Sequence, residues 1–222
     1  MSSIKSPLIV SSQTAPHRNL AKLVLKYQNS ELQDSIPKHA ENAFLIANKF
    51  VSSNKVVLDS GCGTGESSYH LAKKYPDHKI VAVDKSIERL QRSHAFGEQP
   101  ANLLFVQSDC VHMWRLIRQA GWKIERHYLF YPNPWPKPGH LQRRWHGHPV
   151  FPTMLALGGM LVMRTNWEVY AQEFAQALTM SGCADIDMKQ LKLDSDAAIT
   201  PFERKYIQSG HQLYEVMSQH LK

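Results

Sequence analysis

The chain has 222 residues, of which 43% are hydrophobic, 9% aromatic and 20% charged, with a formal net charge of +7. That composition supplies the core of one domain and excludes disorder over most of the length. Its three cysteines, Cys62, Cys110 and Cys183, have an odd count and no CxxC spacing, which excludes a disulfide framework and a paired-cysteine zinc site.

The chain opens on a Ser-rich stretch over residues 2–12 that reads as a loose terminal arm, and its apolar triplet Leu8-Ile9-Val10 is too short for a signal peptide. Residues 1–38 are expected to form this arm and a short helix, and residues 39–222 a single domain. Residues 39–51 suit a short amphipathic helix, and Val56-Val57-Leu58 mark a buried strand over 55–59. Strands are then predicted at 79–84, 103–107, 127–131 and 160–165, alternating with helices at 64–75, 86–95, 110–120 and 167–180. The longest uncharged stretch, residues 145–163, contains Pro149, Pro152 and the pair Gly158-Gly159, so it does not supply the ~20 apolar residues of a membrane span. Residues 212–217 read as a last strand, antiparallel and at the sheet edge. The fold expected is α/β, a doubly wound, mainly parallel sheet with an antiparallel edge strand, and the compartment expected is the cytoplasm. Such sheets bind ligands at the carboxyl ends of their strands, where the strand order reverses.

Basic residues are unevenly placed. Residues 1–30 hold Lys5, Arg18, Lys22 and Lys26 with no acid, and residues 126–167 hold Arg126, Lys137, Arg143, Arg144 and Arg164, again with no acid. A field of one sign attracts phosphate or anionic lipid.

After the first strand comes Asp59-Ser60-Gly61-Cys62-Gly63-Thr64-Gly65, whose glycines let the backbone approach a ligand closely. A dinucleotide loop cradles a pyrophosphate, which a carboxylate at the loop's start would repel. S-adenosylmethionine carries an ammonium and a sulfonium instead, so Asp59 favours a methyl donor over a nicotinamide. Asp84 ends the second strand, where a carboxylate accepts both ribose hydroxyls. Asp109, just after the third strand, is placed to take an adenine amino group. Three acids at three successive strand ends, with Gly61, Gly63 and Gly65, resemble the S-adenosylmethionine-dependent Rossmann-like methyltransferases.

The fourth strand runs into Pro132-Asn133-Pro134-Trp135-Pro136-Lys137, whose prolines stiffen the loop, followed by His140, Arg143, Arg144 and Trp145. Cationic heads beside planar groups suit phosphates and bases. This run resembles the S/P-D-P-W-P-K, H and R-R motif of the tRNA (guanine-N7) methyltransferases. Arg164-Thr165-Asn166 is similar to that family's K/R-T-D, and Thr200-Pro201-Phe202-Glu203-Arg204-Lys205-Tyr206 to its T-x-F/Y-E-x-K-F/Y segment. Asn133 and Asn166 stand where the family has Asp.

The resemblance implies a methyltransferase that acts on a guanine in RNA, with tRNA as its partner, as a monomer or homodimer. Asp59, Gly61, Gly63, Gly65, Asp84 and Asp109 would hold the donor. Asn133, Lys137 and Asn166 would be the catalytic set, and Lys137, His140, Arg143, Arg144, Asn166, Thr200, Phe202 and Glu203 would bind substrate. Guanine N7 has a free lone pair and no proton to lose, so alignment with the donor methyl replaces a general base. Three alternatives stay open. Asn133-Pro134-Trp135 partly resembles the N-P-P-Y/F loop of enzymes that methylate exocyclic amines; the two Asn residues also permit an RNA-binding paralogue without catalysis; and His140, His146 and His148 form the one histidine cluster for a metal, although no metal is expected.

Overall fold

The computed structural model describes residues 5–28, 30 and 32–218. Five short apolar runs make the parallel part of its sheet: β1 (Val56–Ser60), β2 (Lys79–Asp84), β3 (Leu103–Gln107), β4 (Ile124–Phe130) and β5 (Met160–Thr165). Every residue of β1 is buried, because helices cover both faces. Successive side chains alternate between the two cores: Val56 and Leu58 pack on one face, Val57 on the other. The helices are α1 (Leu20–Gln28), α2 (Lys38–Val51), α3 (Glu66–Lys74), α4 (Ile87–Leu90), α5 (Cys110–Ala120), α6 (Phe151–Leu155), α7 (Glu168–Met180) and α8 (Pro201–Gln208). With β6 (Ile186–Leu191) and β7 (Leu213–Ser218), the strand order is β3-β2-β1-β4-β5-β7-β6.

The order reverses beside β1, whose two parallel neighbours are β2 and β4. Register brings the ends of the strands level: Asp59 lies opposite Ala82, and Asp84 opposite Gln107. The predicted acids and the proline loop therefore meet at one end of the sheet. Just below them, Ser60 accepts the Trp114 indole N–H at 2.9 Å and contacts His127 Nε2 at 2.8 Å. Burial pushes His127 down to about 3, so the ring is neutral and accepts the Ser60 hydroxyl. That chain ties α5, β1 and β4 together under the site.

Several expectations need correction. The predicted final strand is antiparallel, but β7 lies inside the sheet, between β5 and β6. The edge is β6, a short strand half exposed along its length that pairs antiparallel with β7. The helix expected over 86–95 stops early: Leu90 is its one buried residue, and the 3-10 turn that follows, Ser93–Phe96, buries none. Without an apolar stripe a longer helix has nothing to pack.

The described part of the N-terminal arm is fastened rather than loose. The Ser6 N–H donates to Ser209 Oγ at 2.8 Å, the Ser11 hydroxyl donates to the Pro136 carbonyl, and Gln13 Nε2 donates to Glu173 at 2.7 Å. Leu20 and Val24 of α1 belong to the same core as Phe174 of α7. Among the described residues no helix is long and apolar enough to cross a membrane.

Candidate active site

Asp59 sits at the end of β1 and is fully buried. Its Oδ2 accepts from the hydroxyls of Ser67 and Ser68, each at 2.7 Å, in the first turn of α3. Its Oδ1 is buried without a hydrogen-bond partner. Burial, opposed by the two serines and reinforced by nearby Asp84, pushes the carboxyl up to about 6. A buried acceptor with an open valence fits a cation such as an ammonium group.

The turn above it fits close backbone approach. Gly61 and Gly63 have positive φ, and a Cβ on either would meet nothing within 4 Å, so both border open space. Gly65, at φ +85°, is different: a Cβ there would lie 2.5 Å from the Phe105 ring. The absence of a side chain at Gly65 lets α3 start against β3. Asp84 is 3% exposed and accepts from the backbone N–H of Gly63 and of Ser86, each at 2.9 Å. Asp109 caps α5 by accepting from the Val111 N–H at 2.8 Å. Asp59, Asp84 and Asp109 thus converge at the strand ends, and their donor set fits a nucleoside bearing a cationic amino-acid tail.

The proline loop continues β4. Tyr131 donates its N–H to the Arg164 carbonyl at 2.8 Å, and Tyr131 and Trp135 adopt left-handed φ of 52° and 45°. Asn133 is exposed, and its Oδ1 accepts from the Trp135 N–H at 3.3 Å, which helps hold that unusual backbone. The Arg143 guanidinium lies over the Trp135 ring at 4.8 Å, and His140 meets the same ring edge-on. Lys137 and Arg143 are exposed and half-exposed His140 stands between them in sequence, so this part of the basic loop is open to a polyanion.

Arg144 does not join them. It is 0% exposed and pairs with Glu173 at 2.5 Å. Its Nε and Nη2 hydrogens go to the carbonyls of Trp135 and Lys137 and to Gln13 Oε1. The expectation that Arg144 grips an RNA backbone is therefore corrected: its charge is consumed in fixing the loop from beneath. Burial raises the Glu173 carboxyl, but His146 and Arg144 outweigh it and hold that carboxyl down at about 2. His146 donates to the same carboxylate at 2.9 Å, and burial pushes its own pKa down against the opposing pull of Glu173. His146 is thus spent on structure, and among the described residues no group of three His, Cys, Asp or Glu could hold a metal.

Thr200 and Glu203 also turn inward. Thr200 Oγ1 caps α8 by accepting the Glu203 N–H at 2.9 Å. Glu203 is 0% exposed and accepts from the Tyr131 hydroxyl at 2.7 Å, from Arg164 at 3.0 Å and from the Ile199 N–H at 2.8 Å. A carboxylate so occupied has no free edge for a base, and its role is to fasten α8 to the proline loop. Phe202 is 51% exposed, stacked on Tyr206, and remains available for stacking. Asn166 is half-buried, and its Nδ2 contacts His211 Nδ1 at 3.0 Å. Tyr131, Glu173 and His211 carry this geometry without having been singled out in the sequence, and Arg164 stood there only as part of a motif, since each acts on residues distant in the chain.

A family model described as "Putative methyltransferase" matches residues 53–216. A relative from Brevibacillus brevis, named tRNA (guanine-N(7)-)-methyltransferase, is 30% identical over 177 residues, covering 76% of this chain and 82% of that relative. The chain belongs to the tRNA (guanine-N7) methyltransferase family. A second member, from Stutzerimonas stutzeri, is 24% identical over 98% of both chains. Among solved structures, one titled an antibiotic related methyltransferase gives a TM-score of 0.60 at 12% identity, covering 86% of this chain and 97% of that one. A 16S rRNA (adenine(1408)-N(1))-methyltransferase from Catenulisporales acidiphilia, solved with its SAM cosubstrate, gives 0.55 at 16% identity, with 86% and 94% coverage. Both likenesses support the fold. The protein is a methyltransferase with a class I, Rossmann-like sheet.

Proposed function

We propose that the protein transfers a methyl group from S-adenosylmethionine to N7 of a guanine in tRNA, in the cytoplasm, as a monomer or homodimer. The observation that carries this reading is the buried, unpartnered Asp59 oxygen beneath an open glycine turn, in a chain whose relatives are named for that reaction. When bound, S-adenosylmethionine supplies a methyl group activated by a sulfonium. Asp59 holds its ammonium, Asp84 its ribose hydroxyls and Asp109 the adenine edge. Gly61 and Gly63 admit the tail. Residues 39–222 are the catalytic unit, with the N-terminal arm and α1 fastened to it.

The chain's part in the transfer is alignment, since N7 attacks with its own lone pair and releases no proton. Asn133 and Asn166 flank the base at the ends of two adjacent strands, and Phe202 offers a ring to stack on it. Lys137, His140 and Arg143 bind the RNA backbone. Replacing Lys137 and Arg143 together with alanine should remove about two phosphate contacts. The slope of log K against log salt should then flatten by roughly 1.4 to 1.8. An unchanged slope in a tRNA titration would move the RNA elsewhere, with the exposed Arg18 and Lys22 next in line.

The reading is tested most directly at Asn133. An aspartate there keeps an oxygen for the Trp135 N–H and places an anion where the methylated base becomes a cation. Single-turnover methylation of tRNA by Asn133→Asp should accelerate roughly 5- to 30-fold, a gain of about 1 to 2 kcal/mol. Nucleoside mass spectrometry must show N7-methylguanosine in both proteins. A different methylated base, lost in the variant, would replace guanine N7 with an exocyclic amine.

A further inference from the structure

His211 lies on the turn between α8 and β7, 8% exposed, and the mechanism above does not use it. Its ring stacks on Tyr206 with centroids 5.1 Å apart and planes at 17°, and its backbone N–H donates to the Tyr206 carbonyl at 3.0 Å. Both ring nitrogens are engaged. Nε2 meets the Ser6 carbonyl at 3.0 Å, and Nδ1 meets Asn166 Nδ2 at 3.0 Å. A carbonyl only accepts, so the hydrogen on Nε2 is required by Ser6. An amide nitrogen only donates, so Nδ1 must be bare to accept from Asn166. The two contacts demand the same neutral tautomer.

We infer that His211 is a positioning residue that fixes the orientation of the Asn166 amide, so that the turn between β5 and α7 presents Asn166 Oδ1, a hydrogen-bond acceptor, to the target base. With Nδ2 spent on the ring, Oδ1 is the end of the amide left over. The inference rests on the function proposed above and deepens it. The guanine edge opposite N7 carries N–H donors at N1 and N2, which need an acceptor. A carboxylate at position 166 would present an acceptor in either orientation. An asparagine does so in only one, and the ring selects it. The N-terminal arm takes part through Ser6, whose carbonyl sets the tautomer from the far side of the ring.

Two substitutions separate this role from mere packing. In His211→Asn the side-chain oxygen stands near the old Nδ1 and still accepts from Asn166. In His211→Gln the amide nitrogen stands near the old Nε2 and still reaches Ser6, but Asn166 loses its acceptor. The expected result is a kcat for His211→Asn within about three-fold of the native enzyme and a fall of about ten-fold for His211→Gln. Donor affinity should be unchanged in both. Equal losses in the two variants would overturn the inference.

A second measurement is independent of catalysis. Long-range proton–nitrogen correlation spectra, with the His211 ring assigned by its disappearance in His211→Asn, should show the hydrogen on Nε2 in the native protein. In Asn166→Asp, where the neighbour only accepts, a hydrogen should appear on Nδ1. A native ring protonated on Nδ1 would sink the inference even if N7-methylguanosine is made. Absence of that product with the expected tautomer would instead sink the substrate reading and leave the orientation of Asn166 standing.

Discussion

Glu173→Ala is expected to cost the fold about 3 to 5 kcal/mol, read as a lowered urea midpoint, because it strands the Arg144 guanidinium in the interior without a counter-ion. The carboxylate accepts from Arg144, His146, Gln13 and the His17 N–H, and both partners of the ion pair are fully buried. A buried pair can contribute little net stability while the loss of one partner contributes a large penalty. The double variant Arg144→Met, Glu173→Leu should therefore lose less than Glu173→Ala alone. The pH dependence carries a sign as well. With its carboxyl at about 2 in the fold, against 4.5 ordinarily, Glu173 binds fewer protons folded than unfolded between those values. Its stabilisation is present above pH 4.5 and is lost as the pH falls through about 2. Glu173→Ala should have a flatter acid limb. A loss under 1 kcal/mol would mean that water reaches Arg144.

The same pair marks where the sequence stopped being legible. Strands with Val-rich runs and the Asp59, Asp84 and Asp109 ends were readable, because hydrophobic periodicity and strand-end acids are local signals. β7 was readable as a strand but not in its place, since its neighbour β6 shows weak alternation and sits half exposed at the edge. Arg143 and Arg144 are adjacent and chemically identical, yet one lies over Trp135 in the open and the other is buried against Glu173. Nothing within ten residues of the pair distinguishes them. The decision comes from α7, which folds beneath the loop and brings a carboxylate from far along the chain. Thr200 and Glu203 show the reverse case. Their spacing is a capping box, a local signal, and the capping of α8 is what it produced. Their match to a family motif pointed toward substrate, but the motif also serves the helix.

Asp59→Asn should weaken S-adenosylmethionine at neutral pH by roughly 30-fold or more, because a buried cation would lose its paired charge at a cost of about 2 kcal/mol or more. Calorimetry reads that loss, and the pH dependence identifies its origin. The free carboxyl titrates at about 6, and only its ionised form pairs with an ammonium. Native affinity should therefore fall as the pH drops below about 6, approaching ten-fold per unit, while the variant stays flat across that range. Stability without ligand should move in the opposite sense. Between 3.8 and about 6 the folded Asp59 holds a proton that the unfolded chain has released, so this group favours folding at the acid end and opposes it above pH 6. Ser67 and Ser68 offset part of that opposition by satisfying one oxygen, while the other is buried without a partner. If the variant bound S-adenosylmethionine as tightly as the native protein, or if native affinity were level from pH 5 to 8, the ammonium would have to be held elsewhere and Asp59 would be a structural acid.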